Sequence, residues 1–452
     1  MVQDNLKKRS TPNMLPNLLF LSLLRRNKYP IDTINRVYAL YYWSRYLGLQ
    51  HFFIVLQKFM LSPFTISKDI WKWSTKIGST KSSHKSFFRQ RLEQFYLAYF
   101  FSITPKDYYR QEFYRKDGME RARHYLNRKV IKSGVYVVLR AYAQHLNEDE
   151  KYLVDKKTDF FKACMQNNLP TVPILLELRA DGTINDYRSV DNDAAKLPEG
   201  DIFCKPDLGR GGKGAEAWFW TGKQGYQNSK GEVLSEEQLR GRLLKLAFEH
   251  ECKSYIIQPL IMPHNGLLPF RKNATPTVRI MTYLDSNGQV KAGETHFKFA
   301  LKTASVAPNR FANTLIAAVN LDTGALRAAV HFDIFQPDKR LTRLTDSNTR
   351  IQGRILPFWK ETVELVRHAH LILSNRLILG WDIIITDQGP LLLEVNIQPG
   401  LDFSQKAHLW PAGKMEFGIA MAAHLKKAVA IYSSKKSSNT VLKKITNAYI
   451  EW

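Results

Sequence analysis

Apolar spacing divides the chain in two. From Leu15 to about Leu146, aliphatic and aromatic residues recur at helical intervals between Lys and Arg, with breakers at Pro30, Pro63 and Pro105 and few strand-like alternations. This predicts an all-helical portion, in which Trp71 to Ser86, rich in Lys and Ser, reads as an exposed connection. After Tyr152 short β-branched runs bounded by turn residues alternate with helical stretches, the pattern of a mixed α/β region with a boundary near 150. A helix over about Thr158 to Asn168 precedes strands at Val172 to Leu178 and Ile202 to Pro206. A helix at Glu236 to Glu249 and a strand at Ser254 to Gln258 follow. Three hairpins are predicted: Val278 to Leu284 with Val290 to Leu301, Leu315 to Asn320 with Ala325 to Phe332, and Ile378 to Thr386 with Pro390 to Asn396. Helices at Pro357 to Asn375 and about Gly413 to Tyr432 complete the pattern, and a polar tail occupies 433–452.

Composition narrows the function class. The 452 residues are 44% hydrophobic and 12% aromatic, which suits packed cores and excludes disorder, collagen and a disulfide mini-scaffold. Lys and Arg total 66 against 41 Asp and Glu, a net charge of +25, so an anionic partner is expected. Residues 1–150 hold 26 basic and 11 acidic residues, and hence most of the excess. Cys164, Cys204 and Cys252 are widely spaced and form no CxxC pair, which argues against a disulfide framework or zinc site and fits a reducing cytoplasm. The most apolar stretch, Tyr46 to Phe64, is broken by Gln50, His51, Gln57 and Lys58, and Arg25 and Arg26 follow an early apolar run where a signal peptide has its basic residues first. No spanning helix and no secretion are expected. His368 and His370 fall on different helix faces, and Trp218, Phe219 and Trp220 read as core.

Two constellations carry chemistry. Phe203 to Gly214 is a strand bearing Lys205 that runs into a loop with glycines at 209, 211, 212 and 214. Glycines let backbone N–H groups converge on phosphate oxygens, and Lys205 adds a formal charge beside them. The loop is not a Walker motif, because no GK[ST] opens a helix. In the last hairpin, alternation puts Glu394 and Asn396 on one face, and the turn at Asp387-Gln388-Gly389 brings Asp382 near them. So few hard oxygen ligands suit Mg²⁺ completed by water and phosphates rather than a protein-only calcium cage.

The order of these motifs resembles the ATP-grasp superfamily: Val154-Asp155-Lys156, Lys205 with its glycine loop, Ile257-Gln258-Pro259-Leu260, and the Asp382, Glu394, Asn396 hairpin closing on Gln398-Pro399-Gly400. Thr277-Val278-Arg279, Ile355 to Trp359, Gly380-Trp381-Asp382 and Gln405 make the sequence most similar to the sugar-transfer-associated branch, close to α-L-glutamate-ligase-like proteins. The resemblance covers about 150 to 430 and implies an α+β fold in which two subdomains sandwich ATP, preceded by a basic helical extension over 1–150. It implies that Lys156 and Lys205 contact ATP phosphates, that Gly209, Gly211, Gly212 and Gly214 form the phosphate lid, and that Gln258 and the backbone near Leu260 hold adenine. Asp382, Glu394 and Asn396 would bind Mg²⁺, two ions being usual in the superfamily. Trp381 stands where the D-alanine-ligase-like branch has an arginine that steadies the reacting anion, so that work would fall to Arg279, Lys298 or Arg327. In Arg310-Phe311-Ala312-Asn313, only Asn313 matches the acidic-Asn pair of the sugar-associated branch.

The expected activity is Mg·ATP-dependent activation of a small carboxylate as an acyl phosphate, followed by attack of an amine or hydroxyl, with an amino acid and a polysaccharide or sugar precursor as co-substrates. Two alternatives are a phosphotransferase acting on a sugar or lipid-linked hydroxyl, and a basic anion- or membrane-binding protein with a vestigial ATP site. A cytoplasmic location is expected, with peripheral contact between residues 1–150 and an anionic inner membrane face. Nucleic acid is not an expected partner.

Overall fold

The computed structural model describes residues 15–45, 49–77, 85–146, 156–188, 196–209, 212, 214–249, 253–272, 274–301, 314–332 and 339–433. Fourteen strands among these form two antiparallel sheets. The first holds β1 (Leu176–Arg179), β2 (Ile184–Asp186), β3 (Ile202–Pro206), β4 (Glu216–Trp220), β5 (Tyr226–Asn228), β6 (Val233–Leu234) and β7 (Ser254–Pro259), in the order β2-β1-β7-β3-β4-β5-β6. The second holds β8 (Thr277–Leu284), β9 (Val290–Ala300), β10 (Thr314–Val319), β11 (Ala329–His331), β12 (Arg340–Leu341), β13 (Ile378–Thr386) and β14 (Gly389–Asn396), in the order β12-β11-β10-β9-β8-β13-β14.

The first sheet buries Leu176, Ile202, Trp218 and Ile257 against Leu239 and Leu243 of the helix Glu236–Glu249. In the second, Leu379, Trp381, Ile383 and Ile385 alternate along β13 onto the face shared with Val366 and Ala369 of the helix Trp359–Leu373. The opposite face of β13 starts at Ile378, which packs with the N-terminal and C-terminal helices, and continues through Gly380 to Asp382. A Cβ on Gly380 would lie 2.7 Å from Pro399 Cβ and 3.3 Å from Arg279 Nη1, so glycine there permits the close approach of both.

The N-terminal helices are joined to the sheets rather than tethered to them. Leu18, Ile34, Tyr38, Val135 and Leu139 share one core with Met281, Leu401, Phe417, Met421 and Leu425. Gln405 Oε1 accepts from the backbone N–H of Leu126 at 3.0 Å and of Ala412 at 2.8 Å, and Tyr136 Oη donates to the Pro399 carbonyl at 2.7 Å. Glu112, fully buried, pairs with Lys406, also fully buried, and with Arg340 at 2.7 Å. Residues 105–136 thus clamp the segment that follows the β13–β14 hairpin. The expected boundary near 150 and the tail beyond Ser433 lie outside the described residues.

Three expected elements differ. Trp71 to Ile77 continue the helix Ser62–Ile77 instead of forming a connection, because Ile70 and Ser74 bury one face at helical spacing while the Lys and Thr residues cover the other. The strand expected from Val172 begins only at Leu176, since Thr171 is drawn off to bridge Leu392. Ala325 and Leu326 make single bridges to Ile355 and Val319, and regular pairing resumes at Ala329. The other predicted helices and strands within the described residues are present to within about three residues, the usual uncertainty of element ends. Trp218 is fully buried, with Phe219 and Trp220 on its flanks; His370 is buried and His368 exposed. Among the described residues no helix is long and apolar enough to cross a membrane.

Candidate active site

Antiparallel register aligns Glu394 with Asp382, Asp382 with Arg279 and Arg279 with His296, so one row of side chains crosses β14, β13, β8 and β9. Residues paired in this way project to the same face. Asp382 accepts from Arg279 Nε at 2.6 Å and Nη2 at 2.5 Å, a bidentate pair. Burial would raise the Asp382 carboxyl, but Arg279 and Lys298 beside it hold it well below the usual carboxylate range. Asn396 Nδ2 donates to Glu394 Oε1 at 3.2 Å. Lys298, two residues beyond His296 and on the same face, is lowered by burial, with Asp382 opposing that shift.

Lys205 enters from the other sheet. It is buried at the end of β3, and burial pulls its ammonium down to about 8 against the opposing fields of Glu394 and Asp382. Buried Lys205 and half-buried Arg279 and Lys298 therefore face two carboxylates where the sheets meet. Gln258 pairs in register with Phe203, which places it on the Lys205 face of the first sheet, and its amide is oriented by donation to the Val172 carbonyl at 3.3 Å. The Leu260 N–H donates to the Asp201 carbonyl at 2.9 Å.

The glycine loop starts from an anchored base. Lys157 Nζ donates to the carbonyls of Pro206 at 3.0 Å and Asp207 at 2.9 Å, and Asp207 accepts from Thr158 N and Oγ1, capping the helix Lys157–Gln166 from across the chain. Gly214 has φ +73°, and a Cβ there would stand 2.6 Å from Tyr255 Oη, whose hydroxyl donates to the Gly214 carbonyl. Gly209 and Gly212 also have positive φ, and Gly211 lies outside the described residues.

Of the residues expected from sequence, Lys205, Arg279, Lys298, Asp382, Glu394 and Asn396 converge. Lys156 is exposed at the head of its helix, and it is the neighbouring Lys157 that grips the loop. Arg327 is exposed, and its charge acts on His408. Trp381 is buried on the face opposite Asp382, where its Nε1 donates to Thr282 Oγ1 at 2.8 Å. It cannot replace a site arginine. Arg310 to Asn313 lie outside the described residues. Three contributors were missed: Lys157, half-visible as a Lys-Lys doublet; Asp207, which looks like an ordinary loop residue; and His296. Nothing local marks His296, which is buried, 3.1 Å from Ser404 Oγ, and held neutral first by burial and then by Arg279 and Lys298.

The donor chemistry fits magnesium. A carboxylate bound bidentately by guanidinium keeps outer lone pairs, and with Glu394 and the Asn396 carboxamide it offers hard oxygens but no closed cage. Among the described residues no cluster of three or more His, Cys, Asp or Glu side chains forms. A metal here would need water and phosphate oxygens to complete its shell.

With these features the arrangement is that of an ATP-grasp protein, and the chain belongs to the sugar-transfer associated ATP-grasp family, whose profile matches residues 138–409. Solved structures with a similar chain path include D-alanine–D-alanine ligase from Bacillus anthracis complexed with ATP, at 12% identity and TM-score 0.30 over 60% of this chain and 63% of that one. Another is D-alanine–D-alanine ligase from Coxiella burnetii, at 10% identity and TM-score 0.31 over 62% of each chain. A third is carboxyaminoimidazole ribonucleotide synthase from Aspergillus clavatus complexed with ATP, at 11% and 0.30 over 57% and 52%. The chain spans about three fifths of the first of these structures. No curated protein matches significantly.

Lys205→Ala is expected to weaken ATP at least about tenfold, as the loss of a charge-assisted phosphate contact does, while adenosine binding changes little. Because burial pulls the ammonium down to about 8, phosphate binding should raise it and take up a proton above that pH. Calorimetry in buffers of different ionisation enthalpy reads both effects; equal losses for ATP and adenosine would remove Lys205 from the phosphate site.

Proposed function

We propose that the protein is a Mg·ATP-dependent carboxylate ligase that joins an amino acid or similar small acid or amine to a sugar or polysaccharide precursor. The observation that carries this reading is Lys205 of one sheet buried in the fields of Asp382 and Glu394 of the other. ATP would lie between the sheets with adenine toward Gln258 and Leu260 and its phosphates beneath the Gly209–Gly214 loop. A carboxylate oxygen of the substrate attacks the γ-phosphorus and the bond to the ADP oxygen breaks. The amine nitrogen then attacks the acyl carbon, phosphate leaves with the bonding pair, and the amine loses a proton. Lys205, Arg279 and Lys298 neutralise phosphoryl charge and hold the reactants in line, so no protein nucleophile is required. Asp382, Glu394 and Asn396 would hold Mg²⁺, one ion or two, which supplies charge neutralisation at the phosphate oxygens. This chemistry suits the cytoplasm, where ATP is supplied, and is separable from any membrane contact of the helical part.

The test is mass spectrometry of products after incubation with Mg·ATP, a panel of amino acids and uronic-acid glycan precursors. An amide or ester with stoichiometric ADP and phosphate is expected. A phosphorylated acceptor with ADP alone would make the protein a phosphotransferase.

A further inference from the structure

We propose that the helices Leu49–Met60, Ser62–Ile77 and Phe87–Phe101 form one interfacial face that seats the protein in the plane of an anionic lipid bilayer. This narrows the contact expected of residues 1–150, because residues 15–45 and 126–143 are committed to the core shared with Phe417 and Leu425.

The helix Phe87–Phe101 turns an apolar stripe outward. Its buried side carries Gln90, Glu93 and Gln94 beside Leu97 and Ala98, whereas Phe88, Leu92, Tyr96 and Phe100, at every fourth position, are exposed, Phe88 by 70%. A helix whose only neighbours are protein and water gains by the opposite arrangement. The same outward apolar stripe recurs nearby. Leu61, Phe64 and Trp71 share an exposed face with Lys68, and Leu49, Phe53 and Met60 share another. Phe64 and Leu49 are 75% and 77% exposed. Scattered apolar residues on a surface need no explanation, but a set this large on three successive helices does.

Half-buried rings beneath the stripes hold the three helices side by side. Phe52 meets Phe20 at 6.3 Å, Phe20 meets Phe59 at 5.2 Å, Phe59 meets Tyr99 at 5.8 Å and Tyr99 meets Phe100 at 5.1 Å, while the Arg91 guanidinium lies 5.3 Å from the Trp71 ring and joins the helix Phe87–Phe101 to Ser62–Ile77.

Charge identifies the occupant. Residues 49–101 carry eight Lys or Arg against Asp69 and Glu93, and Glu93 is buried in pairs with Lys85 and Arg89. Aromatic rings with interspersed cations suit lipid headgroups, where rings enter the acyl boundary and Lys and Arg reach phosphates. A second copy is a poor match, because a twofold interface would press Lys68 and Lys72 toward their own images.

The measurement is co-sedimentation of the full chain with vesicles of phosphatidylcholine alone or mixed with phosphatidylglycerol, at low and high salt. Binding to mixed vesicles at low salt is expected, weakened by salt and by the absence of phosphatidylglycerol. Two variants, Phe53→Ser with Phe64→Ser and Phe88→Ser, and Lys68→Glu with Lys72→Glu, should each lose about tenfold or more in partitioning, with circular dichroism unchanged. No binding by the full chain, equal binding to neutral vesicles, or undiminished binding by folded variants would overturn the proposal. Light scattering that shows a dimer converted to monomer by the apolar variant, without vesicle binding, would assign the face to a second copy instead. No nucleotide is present, so the outcome is independent of the ATP site.

Discussion

Glu394→Gln should lower ATP turnover by at least about two orders of magnitude with the fold intact, because it removes a charge at the proposed metal and phosphate position while keeping the shape. Glu394 stands in register with Asp382 and opposes the burial shift of Lys205, so its loss leaves that buried ammonium with less opposing charge. The carboxamide can still accept from Asn396, which preserves the β14 geometry. The check is ADP release by the purified variant beside its thermal unfolding; near-normal turnover from a folded variant would take Glu394 out of the chemistry.

Glu112→Ala should destabilise the protein by about 3–5 kcal/mol, the cost of removing the carboxylate from a buried ion pair. Lys406 is fully buried against Glu112, and Arg340 closes the same carboxylate from the second sheet. Burial would raise the Glu112 carboxyl, but Lys406 and Arg340 together hold it below its ordinary value. The sign follows: a carboxyl lowered in the folded state contributes stability that is present at neutral pH and lost as pH falls through the folded value. Urea unfolding at neutral and acid pH should therefore show a difference between wild type and variant that shrinks on acidification. Glu112→Ala with Lys406→Met should recover part of the loss, since the fully buried ammonium is then replaced by an apolar side chain of similar length. A variant as stable as wild type at neutral pH would show that the helical clamp does not depend on this pair.

Much of the fold was legible because periodicity was strong where packing is simple. Ile202–Pro206, Glu236–Glu249 and Ile378–Thr386 carry clean patterns and appear where expected. The chemical hairpin was legible too, since alternation alone puts Glu394 and Asn396 together. What sequence could not give was partnership across strands. That Arg279 would spend two donors on Asp382, and that His296 would complete their row, depends on the registers of β8 with β13 and β9. The start of the expected connection, Trp71 to Ile77, misled because Lys and Ser mimic a linker when only two residues in eight, Ile70 and Ser74, define the buried side of a helix, while residues 78–84 lie outside the described residues. The coupling of the N-terminal helices to the site was equally silent, for it rests on Gln405, Glu112 and Tyr136, each unremarkable in its own segment.

The proposed chemistry needs a phosphate site shared between the two sheets. Equilibrium binding of a non-hydrolysable ATP analogue, measured by calorimetry with and without Mg²⁺ on wild type, Lys205→Ala and Glu394→Gln, tests it directly. Mg²⁺-dependent binding by wild type, weaker binding by Lys205→Ala with residual Mg²⁺ dependence, and loss of the Mg²⁺ dependence in Glu394→Gln are expected. Absence of binding by the folded wild type, or binding indifferent to Mg²⁺ and to both substitutions, would contradict the shared site.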